Sequence, residues 1–332
     1  MSIPPDTRAP ASVLFALVIL LGSCATPPQT RQLQAMPPAL PVAVELVDTP
    51  FYPQEDYQCG PAALATVLVH HHIDITPGHL VDEVFLPSRH GSLPDEISAT
   101  ARRYGMLSYP LAPALDDLLR EVAHGNPVLL FQNLGTAWLP QWHFAVLIGY
   151  DLDEGSVILR SGVTPRWETP IGMLERTWSR GNYWARVILP AGEIPVTARQ
   201  QPYLQAALDL ETSGQKAAAA SAYHAATRRW PDNARAWLAL GNLQYAAGEY
   251  ELAEATYRQG LEGDRKNSQT WNNLAYALMQ TGCADQAREA AACAFELAPD
   301  DREIQDTLKE ITAYRPGEDR AHCRPVECDI RD

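Results

Sequence analysis

The chain has 332 residues, enough for two domains of ordinary size. It is 46% hydrophobic, which allows a sizeable core, and its formal net charge is −14 at pH 7. That charge argues against a nucleic-acid surface, which needs a basic stripe, and leaves the chemistry of other ligands open.

Residues 1–24 read as targeting sequence. Arg8 lies in a short n-region that Asp6 weakens, and residues 11–21 form an apolar run. The run is too short to span a bilayer, for which about 20 residues are needed. It ends in Leu21-Gly22-Ser23-Cys24, which resembles a bacterial lipoprotein signal. The resemblance implies that Cys24 is diacylated and becomes the mature N-terminus. An ordinary secretory peptide with an incidental cysteine is the alternative. Ala25, not Asp, follows the cysteine, which in the Gram-negative sorting rule implies the periplasmic face of the outer membrane. Residues 25–48 carry Pro27, Pro28, Pro37, Pro38 and Pro41 and read as an extended tether between membrane and domain.

The next stretch, Pro53-Gln54-Glu55-Asp56-Tyr57-Gln58-Cys59-Gly60-Pro61-Ala62-Ala63-Leu64, sets a cysteine at the start of a predicted helix. A thiolate is the nucleophilic form, and the unpaired N–H groups and dipole of a helix N-terminus lower a thiol pKa. Gly60-Pro61 suits the first turn, where proline's missing N–H costs nothing. Residues 62–69 read as a buried helix. His70, His71 and His72 follow, about 100° apart on a regular helix, so they do not converge on a metal and read as a solvated helix end. No metal or cofactor is expected. Thr76 starts a short helix ending near Phe85. His90 sits in a loop and reads as a surface residue before it reads as part of a groove. Residues 93–104 are amphipathic and closed by Gly105; residues 115–122 form another helix, ending at Gly125.

Residues 127–131 form a predicted buried strand, and residues 133–140 a loop carrying Trp138. Trp142-His143-Phe144-Ala145-Val146-Leu147-Ile148-Gly149-Tyr150 then puts one histidine at the head of an apolar strand. Residues 157–159 and 183–189 read as further strands, the first joined to the histidine strand by a turn at residues 151–155. A cysteine on a helix and a histidine on a strand, far apart in sequence, are what a papain-like thiol site needs.

The Gln…Cys-Gly-Pro-Ala-Ala segment with His-Phe-Ala-Val-Leu-Ile-Gly-Tyr-Asp resembles the bacteriocin-processing (double-glycine leader) cysteine peptidases and their stand-alone relatives, over residues 49–192. The resemblance implies an α+β papain-like fold with Cys59 as nucleophile, His143 as base and the Gln54 side-chain amide as oxyanion donor. In those relatives an Asp-Pro orients the histidine. Here the equivalent place is Ser161-Gly162, and serine accepts a hydrogen bond but carries no charge. Asp151 and Asp153, on the preceding turn, are badly placed for that role.

The C-terminal third repeats. Tyr203, Trp237 and Trp271 are 34 residues apart, as are Gly214, Gly248 and Gly282, and Ala219, Ala253 and Ala287. The pattern resembles the tetratricopeptide repeat, a helix–turn–helix unit of that period. Three repeats fill residues 200–314, the last helix from residue 304 acting as a cap. Such an all-α solenoid presents a groove to a peptide or protein partner, or else braces the first domain. Beyond Cys24 and Cys59 remain Cys283, Cys293, Cys323 and Cys328, an even set that suits disulfides in an oxidising compartment. Cys283 and Cys293 lie about 15 Å apart along a helix and should not pair with each other. The tail, residues 315–332, is therefore expected to be stapled to the last repeat; a zinc site is the alternative, against which stands the lack of paired Cys-x-x-Cys units. The expected protein is a lipid-anchored envelope thiol hydrolase cutting amide bonds. Its competitors are a scaffold that binds peptide without cutting it and a transferase using the same thioester.

Overall fold

A computed structural model describes residues 26–54, 58–86, 91–314 and 323–328. The first half is α+β. In chain order it contains α1 (Pro28–Ala35), β1 (Ala43–Glu45), α2 (Cys59–His70), α3 (Pro77–Val84), α4 (Pro94–Arg103), β2 (Met106–Pro110), α5 (Leu115–Ala123), β3 (Val128–Asn133) and β4 (Trp142–Asp151), then β5 (Ser156–Ser161), β6 (Thr164–Pro170), α6 (Ile171–Arg180) and β7 (Ala185–Pro190). The strands form one antiparallel sheet in the order β2-β7-β3-β4-β5-β6. β1 pairs the far end of β4, Val44 lying opposite Tyr150.

Side chains alternate along β4, as a strand between two helical layers requires. Phe144, Val146 and Ile148 pack with Leu64, Val67 and Leu68 of α2. Ala145 and Leu147 join the opposite core with Leu118 and Val122 of α5 and Leu174 and Trp178 of α6. The nine buried residues of α2, from Gly60 to Leu68, make it the central helix of its layer.

Residues 26–48 are not the extended tether their prolines implied. Pro27 and Pro28 open a helix instead, since proline fits a first turn. The buried carboxylate of Glu175 on α6 accepts from Gln29 N (3.0 Å), Thr30 N (2.7 Å) and Thr30 Oγ1 (2.6 Å), capping α1 from across the fold. Leu33 and Leu40 pack on the core, and β1 joins the sheet, so the folded unit begins well before residue 49.

The second half is a run of antiparallel helices: α7 (Gln200–Thr212), α8 (Lys216–Arg229), α9 (Ala234–Ala246), α10 (Tyr250–Gly263), α11 (Ser268–Gln280), α12 (Ala284–Leu297) and α13 (Arg302–Ala313). Gly214, Gly248 and Gly282 turn each pair at φ +84°, +81° and +78°, the left-handed region where glycine is unstrained. The indoles of Trp237 and Trp271 donate to Pro231 O (2.7 Å) and Arg265 O (2.8 Å), one bond repeated a period apart. At Gly241 a side chain would collide with the Tyr257 ring, so α9 and α10 approach closely there.

The two halves share a core. Tyr203, Ala207 and Leu210 of α7 lie in one cluster with Leu107 and Tyr109 of β2, the edge strand. The joint is pinned by Glu121, fully buried, which accepts from Thr197 N (2.8 Å) and Thr197 Oγ1 (2.6 Å) and from Asn126 Nδ2 (2.7 Å). Sγ–Sγ bonds join Cys283 to Cys323 and Cys293 to Cys328 and hold residues 323–328 against α10. This pairing consumes all four thiols of the alternative zinc site.

Candidate active site

α2 starts at Cys59, with Gln58 at the cap making no side-chain bond to the helix. Gly60 is needed there because Ser92 and Ile97 fill the space a Cβ would take. Cys59 packs in one cluster with Phe144, and the backbone N–H groups of Phe144, Gly60 and Cys59 itself act to lower the thiol pKa. Phe144 adjoins His143 on β4, so the tip of the helix meets the sheet one residue from the histidine. No hydrogen bond joins sulfur and ring in this state.

His143 is held from its other side. Nε2 lies 2.8 Å from Oγ of Ser161, the buried last residue of β5. When Nε2 carries the proton and donates it to Oγ, Nδ1 keeps its lone pair and is free to act as a base. Gly162, at φ +58°, turns the chain sharply into β6 just after Ser161. Its carbonyl accepts the Gln54 N–H (3.0 Å), which brings Gln54 beside the same turn. Arg160, next to Ser161, donates through Nη2 (2.9 Å) and Nε (3.2 Å) to Thr49 O and so fixes the segment leading to Gln54. Cys59, His143, Ser161 and the Gln54 backbone are thereby gathered at one end of the sheet. The Gln54 side chain makes no hydrogen bond among the described residues.

The electrostatics differ from the sequence expectation. Burial raises the Cys59 pKa, and the three backbone N–H groups only partly offset it. The helix N-terminus does act in the expected direction, but desolvation of the thiolate outweighs it. Burial alone lowers His143 to about 4. Near neutral pH the pair is therefore a thiol and a neutral imidazole. Asp151 cannot alter this: it sits at the opposite end of β4, about 26 Å along the strand from His143, where it closes the turn by accepting from Asp153 N and Glu154 N.

The remaining sequence candidates fall away from the chemistry or flank it. His70, the last residue of α2, bonds Thr49 Oγ1 and Gly125 O (both 3.1 Å), His71 is drawn into the packing and His72, beyond the helix, sits at φ 63°. Trp138 is 95% exposed at the tip of the β3–β4 loop, while Trp142 stacks on Phe131 with ring centroids 5.2 Å apart. Cys24 and His90 lie outside the described residues. Sequence reasoning missed the Phe144 amide, for which no side-chain signal exists, and Ser92, whose partner glycine beside the cysteine was the available clue.

Residues 46–181 match the Peptidase_C39 like family, and residues 204–269 and 241–302 match tetratricopeptide repeats. The chain thus joins a C39-like α+β domain to a run of repeat helices. A solved C39-like peptidase from Bacillus anthracis matches with 19% identity and a TM-score of 0.36, covering 44% of this chain and 97% of that one. The Yersinia enterocolitica type III secretion chaperone SycD, in complex with a peptide of the translocator YopD, matches with 25% identity and a TM-score of 0.31, covering 33% of this chain and 89% of that one. No curated protein sequence matches the chain.

Proposed function

We propose that this is a lipid-anchored cysteine peptidase of the cell envelope that hydrolyses peptide bonds through Cys59 and His143. The observation that carries the reading is that Cys59 packs in one cluster with Phe144, the residue beside His143, while Nε2 of that histidine lies 2.8 Å from Ser161 Oγ. Nδ1 of His143 takes the thiol proton as sulfur attacks the scissile carbonyl, then returns it to the leaving amine; water hydrolyses the thioester. The Cys59 N–H and the Gln54 amide are assigned to the oxyanion. Sulfur and ring draw together on substrate binding, as catalytic bonds commonly do.

The repeats dock a protein partner or substrate. A groove of about 820 Å³, lined by Gln200, Leu204, Gln205, Asn233 and Asn267, offers amides and an apolar stripe for an extended chain. Anchoring through Cys24 at the outer membrane rests on the signal sequence. The double-glycine leader specificity of the bacteriocin-processing enzymes is not carried over. The test compares envelope proteins from wild type and Cys59→Ala for new N-termini, together with labelling by an iodoacetamide probe. Wild-type-specific N-termini support the reading; persistent cleavage in the variant removes Cys59 from the role.

A second reading has its own observation. A raised thiol, a lowered imidazole and a serine in place of an acid describe a site that binds peptide without cutting it. Ser161→Asp separates the two: turnover rises in a weak enzyme and stays absent in a scaffold.

A further inference from the structure

We infer that the first domain sits flush on the lipid surface, with the α1 end of its α5–α6 layer against the headgroups and α2 on the layer facing away. The inference rests on the proposed acylation of Cys24. Only Ala25 separates that cysteine from Thr26, where the described chain begins, so the anchor lies at most about 7 Å from Thr26.

Thr26 is not the end of a loose strand. Glu175 holds the first turn of α1 by three hydrogen bonds. Gln29 on the same turn accepts from Leu115 N (2.7 Å) and donates to Pro113 O (3.1 Å), capping α5 in exchange. Pro27 is buried against Gly172 at the start of α6. With Thr26 held to the fold and only Ala25 between it and the proposed anchor, the reading leaves no long tether.

The residues next to the anchor in sequence carry little charge. Residues 26–36 carry one charge, Arg31, and no acid, in a chain whose net charge is −14. Arg31 Nη2 bonds Thr26 O (3.0 Å), which keeps a cation at the anchoring point. Met173, next to Gly172, is 48% exposed and is the apolar side chain that the inference puts at the headgroups. The turn with Asp153 and Glu154 also borders this face, since its Gly155 O accepts from Ile171 N (2.9 Å) at the start of α6.

The experiment uses the full chain, expressed with its signal and reconstituted in vesicles of phosphatidylethanolamine and phosphatidylglycerol bearing a headgroup quencher. A fluorescent amino acid replaces Met173, or Asp82 on α3 as the distal control. Strong quenching at Met173 and little at Asp82 is expected. A twelve-residue Gly/Ser insertion after Ala25 should cut Met173 quenching at least threefold, with membrane pelleting unchanged; Glu175→Gln should act in the same direction. Equal quenching at both positions, or no effect of the insertion, in a chain shown by intact mass to be acylated overturns the inference alone. An unacylated chain overturns it together with the anchoring reading.

Discussion

Nε2 of His143 lies 2.8 Å from Oγ of Ser161, so the imidazole is aimed by a group without charge. A carboxylate in that place would stabilise the imidazolium; a hydroxyl orients the ring and leaves its basicity to burial. Ser161→Asp is therefore expected to raise the His143 pKa from about 4 by one to three units or more. The imidazolium should in turn lower Cys59. Alkylation by iodoacetamide at pH 7 should accelerate about tenfold or more, measured by intact mass against time. An unchanged rate would show that the ring does not communicate with the sulfur.

The wild-type thiol should titrate as a single buried group. Its pKa lies above the ordinary thiol value, so the thiolate is a few per cent or less at pH 7. The alkylation rate should climb about tenfold per pH unit from pH 6 to 8. A plateau below pH 7 would reveal a preformed thiolate–imidazolium pair.

Acid should loosen the fold through two histidines. Burial lowers His71 and His143 to about 4 each, whereas an unfolded histidine titrates near 6.5. The folded state thus binds fewer protons than the unfolded one between these values. Their contribution is whole above pH 6.5, shrinks as pH falls and is lost through pH 4, on the order of a few kcal/mol in total. His71 Nε2 is buried without a partner, so His71→Phe should flatten the Tm profile between pH 6.5 and 4. A profile as steep as wild type would assign the acid sensitivity to other groups.

Glu121→Ala should destabilise by about 2–4 kcal/mol, because it strands the Thr197 N–H and hydroxyl and the Asn126 amide in a buried joint. Thermal unfolding reads the loss. Glu121→Gln, which keeps an acceptor oxygen, should recover part of it.

Much of the site was legible because its parts are side chains with few other reasons to occur together. Cys59 after Gln54 and before Gly60-Pro61, His143 at the head of an apolar strand and Ser161 on the next strand were all readable, and the structure gathers them at one sheet end. The repeats were legible through Trp237, Trp271 and the turn glycines, since a period is visible without any knowledge of contacts. The opposite held for residues 28–35. Their prolines and glutamines carry no strong periodicity, and what makes them helical is Glu175, about 145 positions away. β2, β6 and α6 were likewise missed: the alternation along residues 164–170 places no run of apolar residues on one face, and the exposed strand reads as loop. The sign of the thiol shift was illegible for a related reason. A helix start can be read locally, but desolvation is set by everything that closes over the sulfur.

The shared packing of α7 on β2 bears on how the chain can be divided. Cutting between the sheet and the first repeat would bare Leu107 and Tyr109 and uncover a strand whose backbone could recruit a neighbour. The natural excision fragment is therefore the sheet with its first helical pair attached, and a first domain trimmed between β7 and α7 should aggregate where the longer fragment stays monomeric.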